Sequence, residues 1–396
     1  MTERHTTGTG TTAAHVRRVV VVALLGLAVA IPFLNREVPF VFDGALDSPG
    51  VLHLLALMLV FGALALTYDL LFGFTGLLSF GHALYFALGV YGTVVVTSEL
   101  GLGFGSGVLL VLVAGLVLPL VVGAVCLRVK DIAFAMVTLA FAQAGAIFVV
   151  RDPLDVTGGE LGRSLPFREV PEAFVGIVNT RNVYWLALAL VVVVYVVAHV
   201  ATRSPAGRVW QAIRENERRV EVLGLSPYRY KLTVLVLASF LATACGVVYV
   251  LVVGGANPRV TTSTFTLTLL VMVVLGGAGR LWGALVGGML YTYLDHRLAE
   301  LATSPSMQDL PAVVRVPLSE PLFALGVLFV IVVLFVPGGV AGLVSRVRPA
   351  RTGRGGGDVA TAVAGGSRTG TVQQPDQAAT GAAHDGARHE HEGAAR

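Results

Sequence analysis

The chain of 396 residues is 55% hydrophobic and only 13% charged, with a mean hydropathy of +0.79. So few charges cannot cover a soluble domain of this size, which leaves a polytopic membrane protein. The formal net charge of +4 comes mostly from arginines in connecting segments and the tail, so it reports topology and not a nucleic-acid partner.

A hydrocarbon core about 30 Å thick takes roughly 20 apolar residues per helix and excludes open sheets. Apolar runs of that kind predict an all-α polytopic membrane protein with about ten transmembrane helices. They fall near 16–34, 51–72, 79–98, 106–127, 132–150, 183–202, 231–253, 265–278, 282–296 and 320–337. Residues 1–15 form an N-terminal tail and 16–345 the membrane domain. The first run follows Arg17 and Arg18 like a signal peptide, but it is long and has no small-residue cleavage site, so it reads as a retained span. With ten spans, Arg17, Arg18, Arg128, Lys130, the 203–231 segment, Arg280, Arg346, Arg348 and Arg351 all fall on one side. The positive-inside rule makes that side, and both termini, cytoplasmic. Loops 35–50, 151–182 and 297–319, which lack a basic excess, fall on the other.

Along the chain, the first polar interruption is "GFTGLLSFGHALYFALGVYG", Gly73 to Gly92. Gly73, Gly76, Gly81 and Gly89, with Ala83 and Ala87, are small residues that let helices approach, and Gly76 and Gly81 also permit a break. Ser79, His82 and Tyr85 are spaced to share a helical face. An imidazole facing lipid is costly, so His82 either bonds a neighbouring helix or lines an aqueous cavity. A Ser79–His82 nucleophile pair is a weak alternative, because "GLLSFG" is not a G-x-S-x-G elbow. Within 132–150, Thr138 and Gln143 place a hydroxyl and an amide in a span, where they either bond another helix or face water. The glycine-rich "DVTGGELGR", Asp155 to Arg163, is an ordinary turn or an outer gate or docking loop.

"RSPAGRVWQAIRENERRVEVLGLSPYRYK", Arg203 to Lys231, predicts a cytoplasmic helix of about five turns. Ser204 and Pro205 start it, and Gly224 and Pro227 stop it. Val209, Ala212, Ile213, Val220 and Leu223 form an apolar stripe interrupted at Asn216 and Glu217. The helix is charge-balanced, which suits docking to another protein better than lying on a membrane. "LGGAGRLWG", Leu275 to Gly283, is a tight cytoplasmic turn or a cavity-lining break, so the eighth and ninth runs are two helices or one bent element.

From Arg346 the composition shifts to Gly, Ala, Thr and scattered charge, and 346–396 reads as a disordered cytoplasmic tail. Its His384, His389 and His391 have no companion ligands and read as solvated, so no metal site is expected. Cys126 and Cys245 lie in apolar runs and read as buried thiols. The chain has two lysines, Lys130 and Lys231, and neither completes a G-x-x-x-x-G-K-[ST] phosphate loop, so it does not hydrolyse nucleotide by that means.

"GFTGLLSFGHALYFALGVYG", "GRVWQAIRENERRVEVLGLSPYRYK" and "LLVMVVLGGAGRLWGALVGG", followed by "FVPGGVAGLVSR", resemble signatures of the LivM-like permeases of branched-chain amino acid ABC importers. The resemblance runs from about Val51 to Arg346, with the "AIRENE…LG" segment its most specific part. It implies the ABC importer permease fold and a permease subunit of the plasma (inner) membrane, which is not an enzyme. Its implied partners are a second, LivH-like permease, two ABC ATPase subunits and an extracellular solute-binding protein, with ATP on the ATPases and no cofactor on this chain. The resemblance carries over Gly207, Ala212, Ile213, Arg214, Glu215, Asn216, Glu217 and Gly224 as ATPase-coupling residues. It makes Gly76, Ser79, Gly81, His82, Tyr85, Gly89, Thr138 and Gln143 candidates for the substrate passage. Related permeases serve urea or other amides. The chain departs from the family in its long tail and in Val220, where members often have a small residue. A stand-alone channel or secondary carrier is the reading from another class, weakened by the near absence of carboxylates inside the spans beyond Asp69.

Overall fold

The computed structural model describes residues 23, 26–37, 42, 44–303, 321–335 and 338–347. Residues 16–22, 24 and 25 of the expected first span, the loop 304–320 and the tail beyond 347 therefore lie outside the described residues. The described helices are α1 (Pro49–Asp69), α2 (His82–Glu99), α3 (Phe104–Cys126), α4 (Asp131–Arg151), α5 (Thr180–Arg203), α6 (Pro205–Val222), α7 (Pro227–Val253), α8 (Ser263–Gly276), α9 (Leu281–Thr303), α10 (Pro321–Phe335) and α11 (Gly339–Val347). A two-residue pair, β1 (Arg163–Ser164) antiparallel to β2 (Gly255–Ala256), ties the 152–179 loop to the α7–α8 loop.

By length and composition, five described helices are able to cross a membrane: α1 with its extension to Thr75, α3, α4, α5 and α7. A sixth is added if α8 and α9 count as one span, which is bent by 119° at residues 277–280. The runs expected near 265–278 and 282–296 are thus separate helices joined by a sharp turn, and the second continues to Thr303. Gly277 and Gly279 make that turn with φ of 105° and 80°, values a side chain disfavours.

Helix α1 is the centre of the bundle. Its residues Leu64, Ala65, Leu66, Thr67, Tyr68 and Asp69 are consecutive and all fully buried, so this half of the helix has no outward face. Around it pack α5, α7, α8 and α9. Phe61 of α1, Phe86 of α2, Tyr249 of α7 and Phe265 of α8 form an aromatic cluster with ring centroids 5.2–6.5 Å apart. Helices α3 and α4 lie at the edge and expose Leu109, Val121, Ile132 and Ile147, the side chains expected against lipid.

Close helix contacts run through glycines. A Cβ on Gly89 of α2 would overlap the Thr243 carbonyl of α7, and one on Gly246 would overlap the Phe86 carbonyl. Gly62 of α1 and Gly288 of α9 meet in the same way. Apolar side chains are as well solvated by lipid tails as by one another, so this close backbone packing is what holds the helices together.

The loops sort to two ends of the bundle. Residues 70–81, 127–131, 204–226 and 277–280 meet at one end, joined by Lys130–Glu221 at 3.0 Å, Lys231–Glu217 at 2.6 Å and Gly279 N–H to Asp69 at 2.8 Å. Residues 99, 152–165 and 254–262 meet at the other, through the Glu99–Arg163 ion pair and the β1–β2 pair. The basic connecting segments share the first end, as the charge pattern predicts.

Replacing Gly246 by Leu should cost roughly 1–3 kcal/mol of stability by forcing α2 and α7 apart. Leu109→Ala on the outward face of α3 should change little. Thermal unfolding of the two variants in detergent checks the contrast.

Candidate functional site

At the basic end of the bundle, α6 leaves most of its residues exposed. Ser204 caps it by accepting the Gly207 N–H at 3.1 Å, and Pro205 occupies the first turn. Gly207 has no room for a side chain, because a Cβ would overlap the carbonyls of Ala201 and Thr202. The inner face is anchored by buried Trp210, Ile213 and Val220, with Trp210 Nε1–H donating to the Tyr230 carbonyl at 3.0 Å.

The expected single helix of five turns is in fact two pieces. Asn216 has extended backbone, φ −163° and ψ 100°, and its Oδ1 accepts the Arg219 N–H at 3.0 Å, so it caps a second short helix. The expected apolar stripe divides accordingly. Ile213 and Val220 are buried, whereas Ala212 and Leu223 are exposed. Val220 is buried against the bundle, at 3% exposure.

The second piece ends as expected at Gly224, φ 80°. The Gly224 N–H bonds the Glu221 carbonyl and the Leu225 N–H bonds the Val220 carbonyl, the paired bonds of a Schellman stop. Its tip presents Val222, Leu223 and Leu225 to solvent, at 82%, 73% and 38% exposure. Glu217 and Glu221 hold this tip to the bundle. Glu217 meets Lys231 at the start of α7 and Lys130 before α4, so the chain's two lysines converge on one carboxylate. The neighbouring Glu221 also bonds Lys130 and, with Glu217, raises its pKa above the usual lysine value.

Beside α6, a cleft of about 510 Å³ opens between the 75–80 turn, the start of α4 and residues 213–217. Gly76 and Phe80 line one wall, Asp131 and Phe134 a second, Arg214 and Glu217 a third. Gly76 also ends the extension of α1, a single π-helical turn over Leu70–Thr75, with φ 75°.

The other passage candidates are mostly inside the chain. Ser79 does not share a helical face with His82, because α2 begins at His82 and Ser79 lies in the turn before it. That turn is held by side chains from elsewhere. Thr138 Oγ1 of α4 accepts the Phe80 N–H at 3.1 Å, while Thr266 of α8 accepts from Ala83 and donates to Phe80. These bonds supply the caps that the local sequence lacks. Gly81 packs on the Thr138 carbonyl, with 3.2 Å left for a Cβ.

His82 is fully buried and its Nε2 lies 2.9 Å from Thr67 Oγ1. The single hydroxyl proton of Thr67 goes to the Leu64 carbonyl at 2.7 Å, so His82 Nε2 carries the ring proton and donates it. Tyr85 is buried, and its carbonyl accepts from Thr243, beside Gly89. Gln143 differs from all of these, since it lies on the exposed face of α4 in mid-helix.

At the opposite end, the loop expected to be a turn or gate is a built turn. Asp152 accepts N–H bonds from Val156, Thr157 and Gly158 at 2.8–2.9 Å. The Thr157 bond above all holds its carboxyl down at about 2. Arg163 donates to the Val156 carbonyl at 2.8 Å and pairs with Glu99.

Two residues had no sequence signal for their roles. Asp69, seen only as a carboxylate near a span end, bonds the Gly279 N–H from full burial. Thr67, 15 residues before His82, is its partner.

Residues 50–336 match the family described as "Branched-chain amino acid transport system / permease component". The high-affinity branched-chain amino acid transport system permease protein LivM of Escherichia coli (strain K12) is 28% identical over 296 residues, covering 69% of this chain and 67% of the relative. LivM of Salmonella typhimurium gives the same identity and coverage. A probable branched-chain amino acid transport permease protein LivM of Methanocaldococcus jannaschii is 26% identical over 265 residues, or 57% of this chain and 75% of the relative. No solved structure matches.

Two substitutions check this geometry. Glu217→Gln should loosen the tip by about 1 kcal/mol, raising amide exchange over residues 217–225 about fivefold while the core of α7 is unchanged. His82→Leu should destabilise the fold by about 1–2 kcal/mol more than His82→Gln, which keeps a donor for Thr67; thermal unfolding measures the difference.

Proposed function

The chain belongs to the family of branched-chain amino acid transport system permease components, and from that premise we propose that it is the transmembrane permease subunit of an ATP-driven ABC importer. It is a multi-pass protein of the plasma membrane. Its substrate is a branched-chain, hydrophobic amino acid, delivered by an extracellular solute-binding protein. A second, LivH-like permease completes the passage, and two ABC ATPase subunits hold and hydrolyse ATP. This chain contributes no catalytic group.

The observation that carries the reading is the build of α6. Its inner face is fixed to the bundle, while its outer face and its apolar tip at Val222, Leu223 and Leu225 are left uncovered at the basic end. A helix of this kind suits an ATPase cleft: rigid where it must transmit force and exposed where it docks. Arg214, Glu215, Asn216 and Glu217 lie on this docking segment, with Gly207 and Gly224 setting its two ends and Ala212 on its exposed side.

The passage candidates take two roles. Gln143, on the uncovered face of α4, and Gly76, on the cleft, border the passage. Ser79, Gly81, His82, Tyr85, Gly89 and Thr138 shape its wall from within. An amide facing hydrocarbon is costly, which supports water or the second permease against Gln143. The topology is ten spans with both termini inside, in keeping with the basic segments gathered at one end.

In proteoliposomes holding the complete complex, leucine uptake should require ATP and the binding protein, and urea should not be taken up. Uptake by this chain alone without nucleotide would overturn the importer reading. Reporters fused within residues 208–224 and near Gly159 should report opposite sides of the membrane, the first cytoplasmic.

A further inference from the structure

Where α1 ends, three segments distant in sequence meet through hydrogen bonds. Asp69, the last residue of α1, is fully buried, and its Oδ1 accepts the N–H of Gly279 at 2.8 Å. Gly279 sits in the turn at which the α8–α9 pair is bent. One turn beyond Asp69, the Gly73 carbonyl accepts from Arg214 Nη1 of α6. Arg214 Nη1 also reaches the Gly279 turn, where it would lie 2.8 Å from a Cβ. At Gly73 a side chain is impossible, because a Cβ would overlap both Asp69 Oδ1 and the Gly279 nitrogen. The second Asp69 oxygen is buried with no hydrogen-bond partner among the described residues.

A buried carboxylate with one oxygen unsatisfied is an expensive way to hold a turn if holding is its only task. The three segments are moreover unlike in character. Arg214 is on the exposed docking helix, Gly73 is in the π-helical turn of α1, and Gly279 is in a glycine turn with positive φ. A π-turn and a glycine turn are the places where a helix can change its path at low cost.

We propose that Asp69 is a positioning residue in a joint, formed with Arg214, Gly73 and Gly279, through which movement of α6 swings the bent α8–α9 pair. The joint rests on the reading of the chain as an ATP-driven permease. Displacement of α6 draws Arg214 with it, Arg214 pulls the Gly73 carbonyl, and Asp69 hands that shift to the Gly279 amide. Ordinary apolar packing lets helices slide, whereas directional bonds between two turns do not.

The test uses the complete reconstituted transporter with binding protein, leucine and ATP. ATP-dependent uptake by the unaltered complex comes first; its absence would overturn the importer reading and the joint with it. Asp69→Ala should then assemble and hydrolyse ATP, but the ATP used per leucine should rise about tenfold, the size of a lost coupling contact. Asp69→Asn keeps an oxygen for the Gly279 N–H and should stay close to the unaltered ratio. A normal ratio in Asp69→Ala, or the same uncoupling in Asp69→Asn, would overturn the joint while leaving the importer reading intact. Should Asp69→Ala fail to assemble, amide exchange on the unaltered complex decides: protection over residues 277–280 should change when a non-hydrolysable nucleotide binds the ATPases, and unchanged protection would refute the joint.

Discussion

In hydrocarbon no water pairs with an exposed N–H or C=O, and apolar side chains gain nothing by leaving lipid for one another. A membrane bundle therefore has to be held by contacts that lipid cannot imitate, and here that contact is backbone against backbone. The α2–α7 crossing at Gly89 and Gly246, the α1–α9 crossing at Gly62 and Gly288, and the α8–α9 contact at Gly276 and Gly283 all depend on missing side chains. Because the second half of α1 is enclosed on every side, α5, α7, α8 and α9 are placed by their distance from that helix. The buried polar groups then have no freedom to seek other partners. Thr67 and His82, or Asp69 and Gly279, meet because the glycines have already brought their backbones together.

Much of this was legible in the sequence because the bilayer simplifies it. Long apolar runs become helices, and the runs at 106–127, 132–150 and 183–202 match α3, α4 and α5 to within three residues. The stops of α6 were also readable, since Ser204, Pro205 and Gly224 act through local backbone chemistry alone. Ser79 was misplaced because the start of α2 is not set locally. Thr138 and Thr266, 58 and 186 residues away from Phe80, satisfy the amide and carbonyl that a continuous helix would otherwise have used. The break at Asn216 was visible only as an interruption of the apolar stripe, although Asn three residues before an amide in need of a partner is a capping pattern. The count of spans is harder to read, because α8 and α9 are long and apolar enough to cross only when taken together, and they are bent by 119° between them.

The candidate site shows the same division. Most of the residues that the family resemblance picks out on α6 stand on the surface, whereas Gly207 and Ile213 are buried. Residues of the 73–92 stretch are wrapped inside the chain, and their polarity alone did not distinguish a wall from a lining. Gln143 is the exception, since its amide stands on a face that this chain leaves uncovered.

The convergence of Lys130 and Lys231 on Glu217 has a further consequence for chemistry performed on the intact protein. No other side chain carries a primary amine, as the remaining basic residues are arginines and histidines. Lys130 is the accessible one of the pair, with 60% of its side chain exposed against 11% for Lys231. A lysine acetyltransferase, or an acylating reagent on lysine, would thus address one spot on the bundle, beside the tip of α6. It would neutralise the cation shared by Glu217 and Glu221.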